Sequence, residues 1–251
     1  MLYALIILAH VLADFSFQSH TISQKKQEQL KYLGIHLIIV FLISLILVLP
    51  YLRWKLMFVL FVITLFHGII DYFKIFGHKR SKYNLEIFLL DQVLHILVII
   101  FFIPLLQEIK LVSWFLGIHE FLLVNYTFFE IVDKKMVGYI ALILAIIVFN
   151  FKGSTIIVRS VLKRYKSDIG KDGDKGKAIG NLERLLVIFF IFLKSYSLVG
   201  LMFTAKSLIR FKNIRTNDTD DFVEYYLIGS FISIFLGIVS GVLINKLQFL
   251  L

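Results

Sequence analysis

The chain has 251 residues, of which 59% are hydrophobic and 18% are charged, and its mean hydropathy is +0.86. Soluble domains are roughly 45–50% apolar and about 25% charged. The composition therefore excludes a water-soluble enzyme and indicates an all-α, polytopic membrane protein. With no Cys, thiolate metal sites are excluded as well. We attribute the net charge of +10 to loops beside an anionic inner leaflet and expect no nucleic-acid partner.

Long apolar runs predict seven transmembrane helices, or six if one run doubles back. Pro50 predicts a tight antiparallel turn between the second and third spans. Lys194 lies in the middle of the sixth span, where a charge is costly to insert. This helix therefore either faces a cavity or breaks and re-enters. The predicted spans are 2–17, 33–50, 54–76, 85–107, 136–158, 182–205 and 226–249.

Five regions are expected along the chain, and basic residues set their orientation. Residues 19–31, 74–82 and 159–177 are rich in Lys and Arg, whereas 108–135 holds four acids and three bases. The positive-inside rule places the basic loops in the cytoplasm and the N-terminus outside, with the C-terminus inside if there are seven spans. The regions are a His/Asp-bearing four-helix unit (1–107), an interfacial aromatic segment (108–135), a fifth span with a basic helix (136–165), a cytoplasmic basic linker (166–178) and a two-helix unit (179–251).

Three His/Asp pairs lie within the first four predicted spans, each with a spacing of four residues. This spacing places both side chains on one helix face, one turn apart. Because alternate spans run in opposite directions, every Asp is expected nearer the cytoplasm and every His one turn deeper. A fourth histidine enters the same layer from span two, and polar residues lie close by. The predicted His/Asp cluster comprises His10, Asp14, His36, His67, Asp71, Asp91 and His95, with Gln18, Lys74 and Gln92 beside it.

Ionisable side chains inside a bilayer are costly and mark functional sites by default. Imidazole and carboxylate are the usual ligands of Zn, Mn and Fe in helical bundles, so the seven His/Asp residues predict a divalent metal site. A bound metal would make a nucleophile of water, and the three pairs are then the candidate catalytic residues. Without metal, the same groups could relay protons. The simplest alternative is that they are satisfied polar pairs that hold helices together.

A second polar group is predicted in the C-terminal region. The simple interpretation is local ion pairs and side chains that reach the membrane surface. If span six re-enters at Lys194, its two charged ends fall on one membrane face, where they could bind an anionic head group. No nucleotide or organic cofactor motif is present. The residues of this group are Glu183, Arg184, Lys206, Arg210 and Glu224.

These motifs resemble a bacterial family of multi-pass membrane proteins defined only as a domain of unknown function. The family pattern is H-x-x-x-D-F-x-x-Q, H-x-x-x-D-x-x-K and D-Q-x-x-x-H. The third motif departs slightly from this pattern here, because His95 stands four residues after Asp91. The C-terminal LER, AKS-x-x-RF and EY-x-LIG segments also resemble the family. The resemblance implies a bacterial inner membrane but no activity. The matching residues are His10, Asp14, Phe15 and Gln18, then His67, Asp71 and Lys74, then Asp91 and Gln92.

Three functions follow as hypotheses. The first is a metal-dependent hydrolase of a lipid or lipid-linked substrate, a chemistry for which other membrane hydrolases also use His/Asp sets. The second is a cation- or proton-coupled transporter or channel that uses the same polar site. The third is a membrane scaffold or sensor whose basic linker docks a cytoplasmic partner. The sequence carries no signal for an oligomeric state.

Overall fold

The computed structural model describes residues 1–80, 84–127, 133–165, 173–216 and 220–247. Over these ranges the chain is all-helical, without a strand. It divides into two compact units, residues 1–145 (unit 1) and 146–250 (unit 2). The boundary falls inside a long helix, whereas the predicted linker begins at residue 166. Of that linker, residues 166–172 lie outside the described ranges.

The helices of unit 1 follow the predicted spans closely. Pro50 lies in a short 3₁₀ turn, Leu49–Tyr51, and the helices on either side of it pack against each other, which confirms the predicted turn. The aromatic segment contains a helix with no buried residue. The helices are α1 (Leu2–Val11), α2 (His20–Lys25), α3 (Leu30–Leu47), α4 (Trp54–Arg80), α5 (Asn84–Phe101), α6 (Ile103–Leu106) and α7 (Ser113–Asn125).

Unit 2 is built from the end of one long helix and three further helices. These are the end of α8 (Lys134–Tyr165), then α9 (Gly173–Phe192), α10 (Tyr196–Thr216) and α11 (Asp220–Leu247). Two glycines let α9 and α11 approach closely: a Cβ added at Gly237 would lie 2.9 Å from Val187, and one at Gly241 would lie 2.7 Å from Ile191. Small residues commonly permit such contact between membrane helices.

Within the described ranges, four helices are long and apolar enough to cross a membrane: Leu30–Leu47, Trp54–Gly77, Lys134–Lys163 and Glu224–Leu247. Leu2–Phe17 is apolar but shorter. At most 39% of any of these four windows is buried, so their outer faces are apolar and open. Such faces suit a bilayer, because soluble monomers rarely expose large apolar patches. The predicted count of seven spans is not confirmed.

The predicted span at 182–205 is two helices, because the chain reverses at Lys194. The N–H of Ser195 donates to the carbonyl of Phe190 (2.9 Å) and the N–H of Lys194 to that of Ile191 (3.0 Å), the pattern that ends a helix with a left-handed residue. Lys194 takes that conformation, with φ of 57°. The break that the sequence analysis gave as one alternative is therefore present, and α9 and α10 form a hairpin.

A widened turn follows α1 and positions Asp14. Leu12–Phe17 is π-helical and ends at Gln18, whose backbone is extended. Such turns are rare and occur often at functional sites. Below the polar residues, unit 1 has an apolar core that fixes the spacing of its helices, formed by residues such as Ile6, Val48, Leu56, Leu60 and Ile99.

Candidate metal centre

The seven residues of the predicted His/Asp cluster come together inside unit 1. They come from the α1 end, α3, α4 and α5, the elements expected from the sequence. The side chain of Asp14 is 10% exposed, and the other six residues are at most 4% exposed. The four-residue spacing places each His and its Asp on the same helix face. These faces point into unit 1, where the residues are buried.

Two imidazoles and two carboxylates meet at the centre of the cluster. The Nε2 atoms of His36 and His67 lie 3.1 Å apart. An Asp14 oxygen lies 3.3 Å from the His36 nitrogen and 3.5 Å from the His67 nitrogen. An Asp71 oxygen lies 3.5 Å and 3.8 Å from the same two atoms. Each of these two carboxylate oxygens thus lies within 3.8 Å of both imidazole nitrogens. Among the described residues, three overlapping groups are close enough to hold a metal ion: His36, His67 and Asp71; His10, Asp14 and His67; and Asp71, Asp91 and His95.

These separations fit a shared metal ion. Ligands on one tetrahedral ion with bonds of roughly 2.0–2.2 Å lie about 3.3–3.6 Å apart. The five distances around His36 and His67, 3.1–3.8 Å, bracket this range. Two nitrogen and two carboxylate donors suit Zn, Mn or Fe. The residues present therefore fit a divalent ion, although no ion identity follows from them.

The remaining two histidines flank this centre. The ring of His95 lies 4.0 Å from that of His67 and is stacked on that of His10 at 4.8 Å. Nδ1 of His95 lies 2.7 Å from the backbone carbonyl of Asp91, which only accepts, so this nitrogen donates. Nδ1 of His10 faces an Asp14 oxygen at 4.0 Å. Of the two rings, the His95 ring is held by a hydrogen bond at Nδ1, whereas 4.0 Å is too long for one at His10.

Two lysines neutralise two of the three carboxylates. Nζ of Lys26 donates to Asp71 at 2.8 Å, and Nζ of Lys74 donates to Asp91 at 2.6 Å. Three carboxylates therefore face two ammonium groups, and no Lys or Arg among the residues that the structure describes pairs with Asp14. The remaining negative charge attracts either a proton on an imidazole or a metal cation. Lys26 was not among the predicted site residues.

The hydrogen bonding of the cluster is incomplete. Gln92 joins two carboxylates, since its amide donates to Asp91 at 3.0 Å and to Asp14 at 3.4 Å. Buried polar atoms normally have hydrogen-bond partners, so a group of buried atoms without partners indicates a bound water or ion. Among the described residues, buried atoms without a hydrogen-bond partner include His10 Nε2, Asp14 Oδ1, Gln18 Nε2, His36 Nδ1, Asp91 Oδ1 and His95 Nε2.

A small cavity of about 10 Å³ touches three of the imidazoles. This is near the lower limit for one water molecule. His10, His67 and His95 line one side, and apolar residues such as Ile63 and Val98 line the other. Water at this end of the cluster would meet histidines, whereas the carboxylates and lysines lie toward the other end.

The C-terminal polar residues separate into a pair and a buried arginine. Lys206 Nζ lies 2.6 Å from Glu183 Oε2, which joins the open ends of the α9–α10 hairpin. Arg184, 3% exposed, points elsewhere and bonds to Ser233, Thr155 and Asn181. Glu224 is exposed. The side chain of Arg210 lies outside the described residues. The expected clustering therefore holds for Glu183 and Lys206.

The comparisons with known proteins identify the N-terminal part of the chain. Searches of curated proteins and of solved structures found no match. Residues 2–122 match the family described as "Protein of unknown function (DUF3307)", which covers the whole His/Asp cluster. The C-terminal segments that resemble the family lie beyond the matched residues. Residues 2–122 of the chain are therefore similar to the DUF3307 family.

Proposed function

We propose that unit 1 holds one divalent metal ion and uses it to hydrolyse a lipid or lipid-linked substrate. The observation that carries the proposal is that Nε2 of His36 and of His67 lie 3.1 Å apart, with one oxygen of Asp14 and one of Asp71 each within 3.8 Å of both nitrogens. These four residues are the proposed ligands. The ion would supply a bound water of lowered pKa, the nucleophile for an ester or phosphoester.

The neighbouring residues would accept protons and orient the substrate. Nε2 of His95 and Nε2 of His10 have no hydrogen-bond partner, and both residues line the water-sized cavity, so they are placed to take a proton from water there. Lys74 and Gln92 hold Asp91 and fix its orientation. Lys74 and Gln18 would orient an anionic substrate. The cluster lies within membrane-type helices, which favours a substrate that the bilayer delivers.

The test is hydrolysis by the purified full-length protein loaded with Zn²⁺, Mn²⁺ or Fe²⁺. The probes are p-nitrophenyl butyrate, p-nitrophenyl phosphate and phosphatidylglycerol in detergent micelles. We expect turnover of at least one probe, loss of it in His67→Ala, and retention in His119→Ala, a histidine of α7 outside the cluster. Absence of turnover in a folded, metal-loaded protein, or equal turnover in both variants, would refute the hydrolase.

The second candidate is a cation- or proton-coupled transporter. Its specific support is that Lys26 and Lys74 place ammonium groups on two buried carboxylates, so a translocated cation would find carboxylates that already pair with positive charge. Inward-facing ion pairs of this kind are typical of transport pathways. Proton or cation flux into proteoliposomes that is lost in Asp71→Asn, without hydrolysis, would favour the transporter.

We also propose six crossings of a bacterial inner membrane, with the α9–α10 hairpin entering and leaving on one side. From the Glu183–Lys206 pair to the turn, each arm has about ten residues, roughly 15 Å, which is half of a 30 Å hydrocarbon core. The basic loops then lie in the cytoplasm. An even number of crossings places the C-terminal end of α11 outside, on the same side as the N-terminus.

A further inference from the structure

Arg184 of α9 is buried in unit 2 among neutral partners. Nη1 donates to Ser233 Oγ at 3.0 Å, and Nη2 donates to Thr155 Oγ1 at 2.8 Å and to Asn181 Oδ1 at 2.5 Å. These three partners come from α11, α8 and α9 itself. The guanidinium is thus fixed by three helices, and none of its bonded partners carries a charge.

The positive charge of Arg184 lacks a counterion. No carboxylate in the described ranges lies within 4.0 Å of its guanidinium. Glu183, its neighbour in sequence, is held by Lys206. An unpaired charge away from water costs several kcal/mol, and buried charges are therefore usually paired. The described side chains of unit 2 comprise eight Lys or Arg and two Glu, so this charge belongs to a wider cationic excess.

Two features of the surroundings of Arg184 indicate an anionic ligand. Nε of Arg184 is buried and has no hydrogen-bond partner. Gly180 is half-buried and lies one helical turn before Arg184 in α9. Because it has no side chain, it leaves a notch beside the guanidinium: a Cβ added at Gly180 would meet only Nη1 of Arg184, at 3.5 Å. Lys177 lies three residues before Gly180, so helical spacing places it on the same face of α9. Arg184 thus borders the space beside Gly180, and Lys177 lies on the same face of the helix.

We propose that Arg184, Gly180 and Lys177 form a binding site for a phosphate-type oxyanion. The guanidinium donates to the oxygen through Nη1, the nitrogen nearest Gly180, which has a second N–H besides the one that bonds to Ser233. Planar N–H groups of Arg match phosphate geometry. The ligand is either the phosphate of a lipid head group or a free phosphate. This site lies in unit 2 and does not depend on the proposed metal centre.

The experiment measures binding to the full-length protein in a nonionic detergent by thermal shift and native mass spectrometry. The probes are phosphatidylglycerol, phosphatidylcholine as the zwitterionic comparison, and inorganic phosphate. We expect Arg184→Gln to weaken phosphatidylglycerol binding roughly tenfold or more, the loss typical of one charged hydrogen bond. Lys152→Gln, which removes an exposed cation of α8, should stay within about twofold.

Gly180→Ala keeps the test decisive if Arg184→Gln does not fold. Alanine fits at the ordinary contact distance of 3.5 Å and favours the helix, so the protein should fold at least as well, while the notch is filled and binding falls. Arg184-dependent binding of phosphatidylglycerol alone identifies a head group, and binding of both anions identifies a general oxyanion site; either supports the proposal. Binding that neither variant alters overturns it and makes Arg184 a structural cross-link.

Discussion

Replacing Lys26 gives a quantitative test of the ion pair in the His/Asp cluster, because Lys26 is the buried cation that contacts the proposed metal ligand Asp71. Its ammonium lies 2.8 Å from Asp71, with side-chain exposures of 8% and 2%. Removing one partner of a buried pair leaves the other charge uncompensated and costs about 3–5 kcal/mol. Lys26→Met should therefore lower the free energy of unfolding by about 3 kcal/mol.

The assay is chemical unfolding in detergent, read in a double-mutant cycle with Asp71→Asn. The two single variants should each be destabilised, and the double variant by clearly less than their sum, with a coupling of at least about 1 kcal/mol. Lys25→Met is the matched control: Lys25 is adjacent but exposed, over the ring of Tyr32 at 5.3 Å. Equal stabilities for Lys26→Met and Lys25→Met, or additive single effects, would refute the buried pair.

Three further predictions concern unit 2 and the membrane topology. Gly241→Ala should destabilise the protein by about 1–3 kcal/mol in thermal unfolding, because its Cβ would lie 2.7 Å from Ile191, whereas Gly34→Ala, with nothing within 4 Å, should be neutral or stabilising. Lys206→Met should raise protease cleavage of the α9–α10 hairpin by freeing Glu183, and unchanged cleavage would contradict the pair. A phosphatase reporter fused to the C-terminus should be active outside the cell membrane; a cytoplasmic reading would contradict an even number of crossings.

The main features of the polar centre could be predicted from sequence, because helix periodicity and depth in a membrane are local properties. A His and an Asp four residues apart must share a face, and pairs at equal depth on adjacent spans must face one another or lipid. His36 followed from the same depth argument. The aligned groups then meet within hydrogen-bond distance.

Other features depend on tertiary contacts that sequence does not encode locally. Lys25, Lys26 and Lys31 are equivalent basic loop residues in sequence, and the path of the chain after α2 alone brings Lys26 to Asp71. Glu183 and Arg184 are neighbours, but successive helix positions differ by about 100°, so they serve different partners. The charge of Lys194 predicted that its span is not an ordinary lipid-facing helix, but it did not predict a hairpin, since either a cavity or a break in the helix would accommodate the charge.

The most direct test of the metal centre is elemental analysis of the purified protein with X-ray absorption at the edge of the bound metal. The account predicts about one Zn, Mn or Fe per chain, with nitrogen and oxygen ligands at roughly 2.0–2.2 Å and the scattering of two imidazoles. The metal should be lost in His36→Ala and retained in His119→Ala. A folded protein that takes up no divalent ion, or binds one equally well without His36, would contradict it.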